Sequence, residues 1–87
     1  MFLHLGQSTV VTMDEIIGIF DLERTTVSKR TRDFLAHAER EGKVINVSYE
    51  LPRSFIITKR EGEEEKIYIS QLSSATLLKR SEQERIG

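Results

Sequence analysis

The residues of this sequence that are best suited to chemistry are basic. Lys29, Arg30 and Arg32 surround the start of a predicted helix, and Arg24 precedes them. Free backbone N–H groups and positive side chains at a helix start both favour a phosphate. Because Asp33 is interleaved with these residues, a solvated helix face that carries charge for solubility is the alternative interpretation. The pattern predicts a nucleic-acid contact without excluding that alternative.

A second basic position, Arg53, stands in a loop between Pro52 and Ser54. Pro52 fixes its own φ and stiffens the loop, so the guanidinium can be offered to a phosphate with little loss of entropy. The alternative is that Arg53 only solvates the loop or pairs with Glu50, as surface arginines usually do. We predict Arg53 as the residue that touches DNA if any residue of this chain does.

Other kinds of chemistry lack the residues they need. The chain has no cysteine, and His4 and His37 lie on different predicted elements without paired ligands. There is no G-x-S-x-G motif for a serine nucleophile, and Gly6 is a single glycine where a phosphate-cradling loop needs several. We therefore expect no enzymatic activity, no metal, no cofactor and no small-molecule substrate.

Length and charge limit the remaining functions. Charged residues make up 31% of the 87 residues, yet the formal net charge is -1, so DNA binding would need a local patch or the summed surface of several copies. A domain of this size buries only about 60% of the surface of its unfolded chain. With no disulfide to compensate, self-association is the expected source of stability, and we predict a homo-oligomer.

The beginning of the sequence has neither the basic segment nor the apolar run of a secretory signal. No apolar run approaches the ~20 residues that a membrane helix requires. We expect a soluble, cytoplasmic protein without membrane contact.

The pattern of apolar residues predicts one small α+β domain over residues 1–81, with a polar tail at 82–87. Residues 15–22 suit a buried strand because of their isoleucines and Gly18, although Thr12-x-x-Glu15 resembles the capping box of a helix. The main helix is predicted over 28–41 with Ser28 as N-cap and Gly42 after its end. The predicted order is β-β-β-α-β-β-β-α in an antiparallel or mixed sheet: strands at 2–5, 9–12, 15–22, 44–49, 54–59 and 66–70, and helices at 28–41 and 73–81.

Two sets of residues are predicted to face the core. At 100° per residue the main helix presents one apolar stripe, which should anchor it to the sheet. The alternation after Gly42 predicts inward-facing side chains on the fourth strand. The stripe consists of Thr31, Phe34, Leu35 and Ala38, and the strand set consists of Ile45, Val47 and Tyr49.

Six segments, distributed over almost the whole chain apart from its last few residues, resemble the bacterial extracellular matrix regulatory protein family, and its RemB-like branch in particular. The Leu-His-Leu-Gly opening and the Ser-Ser-x-Thr-Leu-Leu-Lys-Arg close are the most specific of these segments. The segments are residues 2–6, 9–11, 19–23, 31–35, 53–58 and 73–80.

The resemblance implies a non-enzymatic DNA-binding regulator of biofilm matrix operons that assembles into rings. In the RemA branch, arginines in a Gly-Arg-Arg-Thr-Arg type of segment just before the fifth strand contact DNA. Residues 50–54 of this chain read Glu-Leu-Pro-Arg-Ser, so Arg53 alone keeps a guanidinium there. The resemblance therefore supports the fold and the assembly more directly than the same DNA contact.

Two hypotheses about function follow. In the first, the chain is a ring-forming transcription regulator that binds DNA through phosphates, with weak contacts multiplied around the assembly. In the second, it is an oligomeric interaction module whose partner is another protein, such as a related regulator, without direct DNA contact. The near-neutral charge and the single arginine of the loop favour the second hypothesis.

Overall fold

The computed structural model describes residues 1–23 and 28–86 of the chain. The order of elements in these ranges confirms the predicted β-β-β-α-β-β-β-α arrangement and the α+β class. The elements are β1 (Phe2–Gly6), β2 (Thr9–Thr12), a 3-10 turn (Met13–Glu15), β3 (Ile16–Asp21), α1 (Lys29–Arg40), β4 (Val44–Asn46), β5 (Ser54–Thr58), β6 (Lys66–Ser70) and α2 (Ser74–Ile86).

The strands form a four-stranded sheet and a separate hairpin. The sheet has the order β3-β5-β6-β4, and within the described residues β1 pairs only with β2. The β3–β5 and β5–β6 pairs are antiparallel, whereas β4 runs parallel to β6. Of the two predicted kinds of sheet, the chain therefore forms the mixed one.

Each face of the sheet is covered by a different layer. The β1–β2 hairpin and α2 cover one face, and α1 covers part of the other. Because side chains alternate across a strand, Phe55 and Ile56 of the central strand β5 enter opposite layers. The hairpin-side core contains Leu3, Leu5, Val11, Val47, Ile56 and Leu77, and the α1-side core contains Ala38, Phe55 and Ile67.

Two buried serines connect the sheet to the hairpin and to the start of α2. The Ser70 hydroxyl donates to the Leu5 carbonyl at 2.6 Å and accepts from the Leu72 N–H at 3.0 Å. The Ser54 hydroxyl donates to the Leu72 carbonyl at 2.8 Å. These hydroxyls satisfy backbone groups that burial would otherwise leave unpaired.

Local signals set the ends of α1 as predicted. The Ser28 hydroxyl accepts from the Thr31 N–H at 3.1 Å, which caps the first turn. Gly42 follows the helix with φ of +73°, a conformation that glycine adopts without steric cost. Within the predicted apolar stripe, Ala38 is buried and Leu35 is half-buried, but Phe34 is 36% exposed.

The exposure of Phe34 reduces its expected contribution to stability. We predict that Phe34→Ala lowers the free energy of unfolding by about 1–2 kcal/mol, because its ring already contacts water on one side. Phe55→Ala is the matched control, and its loss should reach about 3–5 kcal/mol because the ring is buried. Urea unfolding compares the two variants, and equal losses would show that Phe34 belongs to the core after all.

The prediction for the fourth strand was wrong in two respects. The strand β4 ends at Asn46 instead of continuing to residue 49, and the Val47 N–H then donates to the Ile69 carbonyl at 2.9 Å. Beyond this point the chain leaves the sheet, so the alternation no longer decides which side chains face inward. Val47 is buried as predicted, whereas Ile45 is partly exposed and Tyr49 is almost completely exposed.

The segment after Thr12 combines both predicted alternatives. A 3-10 turn comes first, in which the Thr12 N–H donates to Glu15 Oε1 at 2.7 Å in the manner of a capping box. The predicted strand follows as β3, with a bulge between Ile16 and Gly18. This strand is only partly buried, because it forms one edge of the sheet and α1 does not cover it fully.

The last helix is longer than predicted. Ser73 caps it by accepting from the Thr76 N–H at 3.1 Å, and the helix extends to Ile86 instead of ending near Ser81. Residues 82–85 are polar, but glutamate, glutamine and arginine are good helix formers. Neither helix in the ranges described is long and apolar enough to cross a membrane.

Candidate nucleic-acid interface

The backbone of Arg53 is fixed by two neighbouring strands. Its N–H donates to the Ser70 carbonyl at 2.9 Å, and its carbonyl accepts from the Leu22 N–H at 2.9 Å. Arg53 therefore lies at the end of the sheet where β3 finishes and β5 begins. The side chain therefore extends from a backbone held by two hydrogen bonds, although residues 51–53 have no regular secondary structure.

The guanidinium of Arg53 is already engaged. Its Nε lies 3.0 Å from Glu23 Oε1, and both side chains remain roughly half exposed. The Glu23 N–H in turn donates to Asp21 Oδ1 at 2.7 Å, which fixes the turn that carries Glu23. An anion that binds Arg53 must therefore compete with a carboxylate held beside it.

Glu50 was the partner considered for Arg53 from the sequence, but it is held by a different residue. The Ser48 hydroxyl accepts from the Glu50 N–H at 3.1 Å and lies 3.4 Å from Glu50 Oε2. No local pattern signals the Arg53–Glu23 pair, because this pair depends on the antiparallel β3–β5 pairing. Once that pairing is known, the end of β3 is the natural place to look for a partner.

The basic residues of α1 have different surroundings. Lys29 Nζ lies 3.2 Å from Asp33 Oδ2 in an exposed pair one helical turn apart. Arg30 lines a shallow apolar groove beside Phe20, Phe34 and Phe55. The first turn of α1 contains no acidic residue, so its free N–H groups and the positive side chains reinforce one another.

The four predicted DNA contacts do not form one patch. Arg30 lines the groove beside Phe55 on the α1 side of the sheet, whereas the guanidinium of Arg53 lies beside Glu23, after the end of β3. Arg32 is exposed, but it lies ~200° around the helix from Arg30 and faces another direction. Arg24, which the sequence grouped with them, lies outside the described residues.

Three further basic residues, two after β5 and one on α2, also lie beside oxygen acceptors. Arg60 Nε is 3.3 Å from Glu15 Oε2, and the Lys59 ammonium contacts the Glu63 carbonyl. Arg80 donates to the His4 carbonyl at 3.4 Å. One copy of the chain therefore presents scattered, partly neutralised positive charge, in keeping with its net charge of -1.

Comparison with known proteins identifies the class to which this fold and surface belong. The model of the RemA-like family, described as extracellular matrix regulatory protein A-like, matches residues 2–80. The chain belongs to this family, which confirms the resemblance seen in the sequence.

A characterised relative carries the name extracellular matrix regulatory protein B and comes from Bacillus subtilis strain 168. It is 35% identical to this chain over 82 residues, which cover 94% of the chain and 91% of the relative. The similarity therefore extends over both proteins almost from end to end.

Proposed function

We propose that this chain is a non-enzymatic, cytoplasmic, homo-oligomeric regulator that binds DNA and controls the transcription of extracellular matrix genes. The regulatory part of this proposal is supported by the family and by the name of the Bacillus relative. The DNA-binding part depends mainly on one observation, the position of Arg53. A half-exposed guanidinium on a hydrogen-bonded backbone suits a phosphate.

Assembly of several copies can give useful DNA affinity even though the surface of one copy binds phosphate weakly. A single Arg53 whose guanidinium is paired with Glu23 has little affinity for a phosphate, and Lys29, which is paired with Asp33, adds little more. Repetition of the same end of the sheet in several copies of a ring would multiply these contacts, because each additional contact becomes intramolecular once the first has formed. The affinity of such binding comes from contacts with DNA phosphates, and it falls steeply as the salt concentration rises.

A second candidate function is an oligomeric interaction module that binds another protein, such as a related regulator, without touching DNA. The Arg53–Glu23 pair favours this candidate, because it gives the guanidinium a carboxylate partner within the chain. In this case Arg53 stabilises the end of β3, and a related regulator supplies any DNA contact.

We predict that Arg53→Ala weakens duplex DNA binding for all sequences alike and lowers the slope of log K against log salt by about 0.9 per contact in each participating copy. Glu23→Gln should strengthen binding, because it removes the competing carboxylate charge. Arg40→Ala is the matched control. It removes the same charge from the last turn of α1, and its effect on duplex binding should be smaller.

Fluorescence anisotropy with a labelled duplex at several salt concentrations measures these effects, and light scattering checks that the variants stay assembled. No binding of the original protein at low salt would refute DNA contact and favour the protein partner. If Arg53→Ala abolishes assembly and leaves the affinity per assembled particle unchanged, Arg53 is an interface residue.

A further inference from the structure

A cleft lies between the hairpin, the turn that follows β6, and α2. Its volume is about 520 Å³, within the roughly 300–1,000 Å³ of sites that bind small molecules. The strand β1 forms one wall with the edge that does not pair with β2, and Arg80 of α2 reaches across to the His4 carbonyl. The cleft is therefore large enough to hold a small molecule.

The walls of this cleft carry hydrogen-bond donors and one positive charge. The polar side chains that line it are three amides, an imidazole and a guanidinium, and no carboxylate stands among the described residues of its lining. The chain as a whole has 14 acidic residues, so their absence from this lining favours an anionic ligand. The five polar residues are His4, Gln7, Gln71, Arg80 and Gln83.

Arg80 keeps most of its capacity to bind an anion. A guanidinium has five N–H donors, and Arg80 uses one of them on the His4 carbonyl at 3.4 Å, which is long for a hydrogen bond. Arg53 and Arg60 lie beside carboxylates, whereas Arg80 forms no ion pair with a described carboxylate. Its free N–H groups can hold a phosphate through two parallel hydrogen bonds.

Gln71 has a polar atom that lacks a partner. Its Oε1 is buried and accepts no hydrogen bond within the described part of the chain. The amide lies directly against Gly6, where a Cβ would come within 2.8 Å of Oε1 and 2.9 Å of Nε2. An unpaired buried oxygen costs free energy. Because the terminal torsion of a glutamine is soft, the amide can turn to meet a donor in the cleft.

These groups together define the chemistry of a ligand. Arg80 requires an anionic group, and Gln71 requires a group that donates a hydrogen bond to Oε1. A glutamine amide pairs in this way with adenine, accepting from the N6 amino group and donating to N7. Phe2 lines the same cleft with a ring that is 58% exposed, and an aromatic ring is a surface on which a base stacks.

We infer that the cleft between β1 and α2 is a binding site for an adenine mononucleotide, with the phosphate at Arg80, the edge of the base at Gln71 and its face on Phe2. This inference concerns binding and includes no catalytic step. It goes beyond the proposed function, because neither DNA contact nor assembly is needed for it.

Titration calorimetry of the full chain with AMP, IMP and inorganic phosphate tests the ligand. IMP carries an oxygen where AMP carries the amino group, so it presents an acceptor to Gln71 Oε1. We expect AMP to bind, and both IMP and inorganic phosphate to bind about tenfold or more weakly than AMP. No binding of AMP at millimolar concentration would overturn the inference, and so would equal affinities for AMP and either of the other two.

Arg80→Gln tests the phosphate contact. It should weaken AMP binding by about tenfold or more, because a hydrogen bond to a charged group is lost. Lys79→Gln is the matched control: it removes a charge from the neighbouring exposed position of α2, which does not line the cleft, and AMP affinity should be unchanged. Equal effects of the two variants would show only a general attraction between charges.

Gln71→Met separates a ligand contact from a structural role. Methionine has a similar length and no strong hydrogen-bonding group, so the preference for AMP over IMP should disappear. The urea midpoint should not fall, because the variant removes an unpaired buried oxygen. A lower midpoint with an unchanged preference for AMP would mean that Gln71 only supports the fold and would overturn its part in the site.

Duplex binding measured on the same variants separates this inference from the proposed function. Arg80→Gln should leave duplex affinity close to that of the original protein, whereas Arg53→Ala should lower it. If Arg80→Gln weakens duplex binding as much as Arg53→Ala and leaves AMP binding unchanged, Arg80 belongs to the DNA surface and the nucleotide site is refuted. A protein that binds AMP as expected and binds no duplex would retain the nucleotide site and refute DNA binding.

Discussion

Leu77→Ala is expected to lower the free energy of unfolding by about 2–5 kcal/mol. Leu77 is 0% exposed and is the α2 residue of the hairpin-side core, where it packs with Leu3, Leu5 and Ile56. Its truncation removes apolar contacts and leaves a cavity between α2, the hairpin and the sheet. Because small domains are stable by only about 5–15 kcal/mol, such a loss is a large fraction of the total stability.

Urea unfolding at one fixed protein concentration measures this loss, since assembly also contributes to apparent stability. Leu51→Ala is the matched control: the same atoms are removed from a side chain that is 82% exposed, and the midpoint should hardly move. A similar shift for both variants would contradict the position of Leu77 in the core.

Ser70→Ala is expected to cost about 1–3 kcal/mol, although it removes a single oxygen atom. The hydroxyl donates to the Leu5 carbonyl and accepts from the Leu72 N–H in the buried region between β1 and the start of α2. Alanine leaves both backbone groups without this partner, the Leu5 carbonyl in a buried region and the Leu72 N–H in a partly buried one. The cost in free energy comes from backbone groups that lose water on folding without regaining a hydrogen bond, and not from lost packing.

Ser48→Ala separates this effect from a general serine effect. The Ser48 hydroxyl also accepts a backbone N–H, that of Glu50, but in an exposed turn where water can replace it. We expect a change within about 0.5 kcal/mol for Ser48→Ala. Equal costs for the two serine variants in urea unfolding would mean that burial of the Ser70 hydroxyl contributes nothing.

The sequence predicted the elements whose ends are set by local chemistry. Ser28 and Gly42 mark the two ends of α1 through a hydroxyl cap and a left-handed backbone, and both signals act within a few residues. The isoleucines around Gly18 likewise favour a strand over a helix because of their stiff side chains. In these cases the information needed lies within the segment itself.

Other features depend on contacts that no short segment contains. The end of β4 is set by its pairing with β6. Periodicity alone therefore predicted a strand that is too long and an inward-facing Tyr49, which is exposed. Residues 82–86 have a composition that suits a tail and an exposed helix equally well, so the end of α2 was missed.

The candidate site shows the same limit. Arg53 was correctly placed just before a strand, because Pro52 and the apolar run after it are local signals. Its partner Glu23 is brought to it by the β3–β5 register, which the sequence did not reveal. The contact between Arg53 and DNA stays a prediction. The structure adds that a DNA phosphate would have to compete with Glu23 for the guanidinium.

The central position of β5 has a consequence for how the molecule opens. Phe55 belongs to the core under α1, and its neighbour Ile56 belongs to the core under the hairpin and α2. Displacement of β5 therefore disrupts both cores at once. Partial opening that keeps one layer intact is therefore disfavoured. The deepest amides of both layers should exchange, and proteases should cut β5, only through the same global unfolding event.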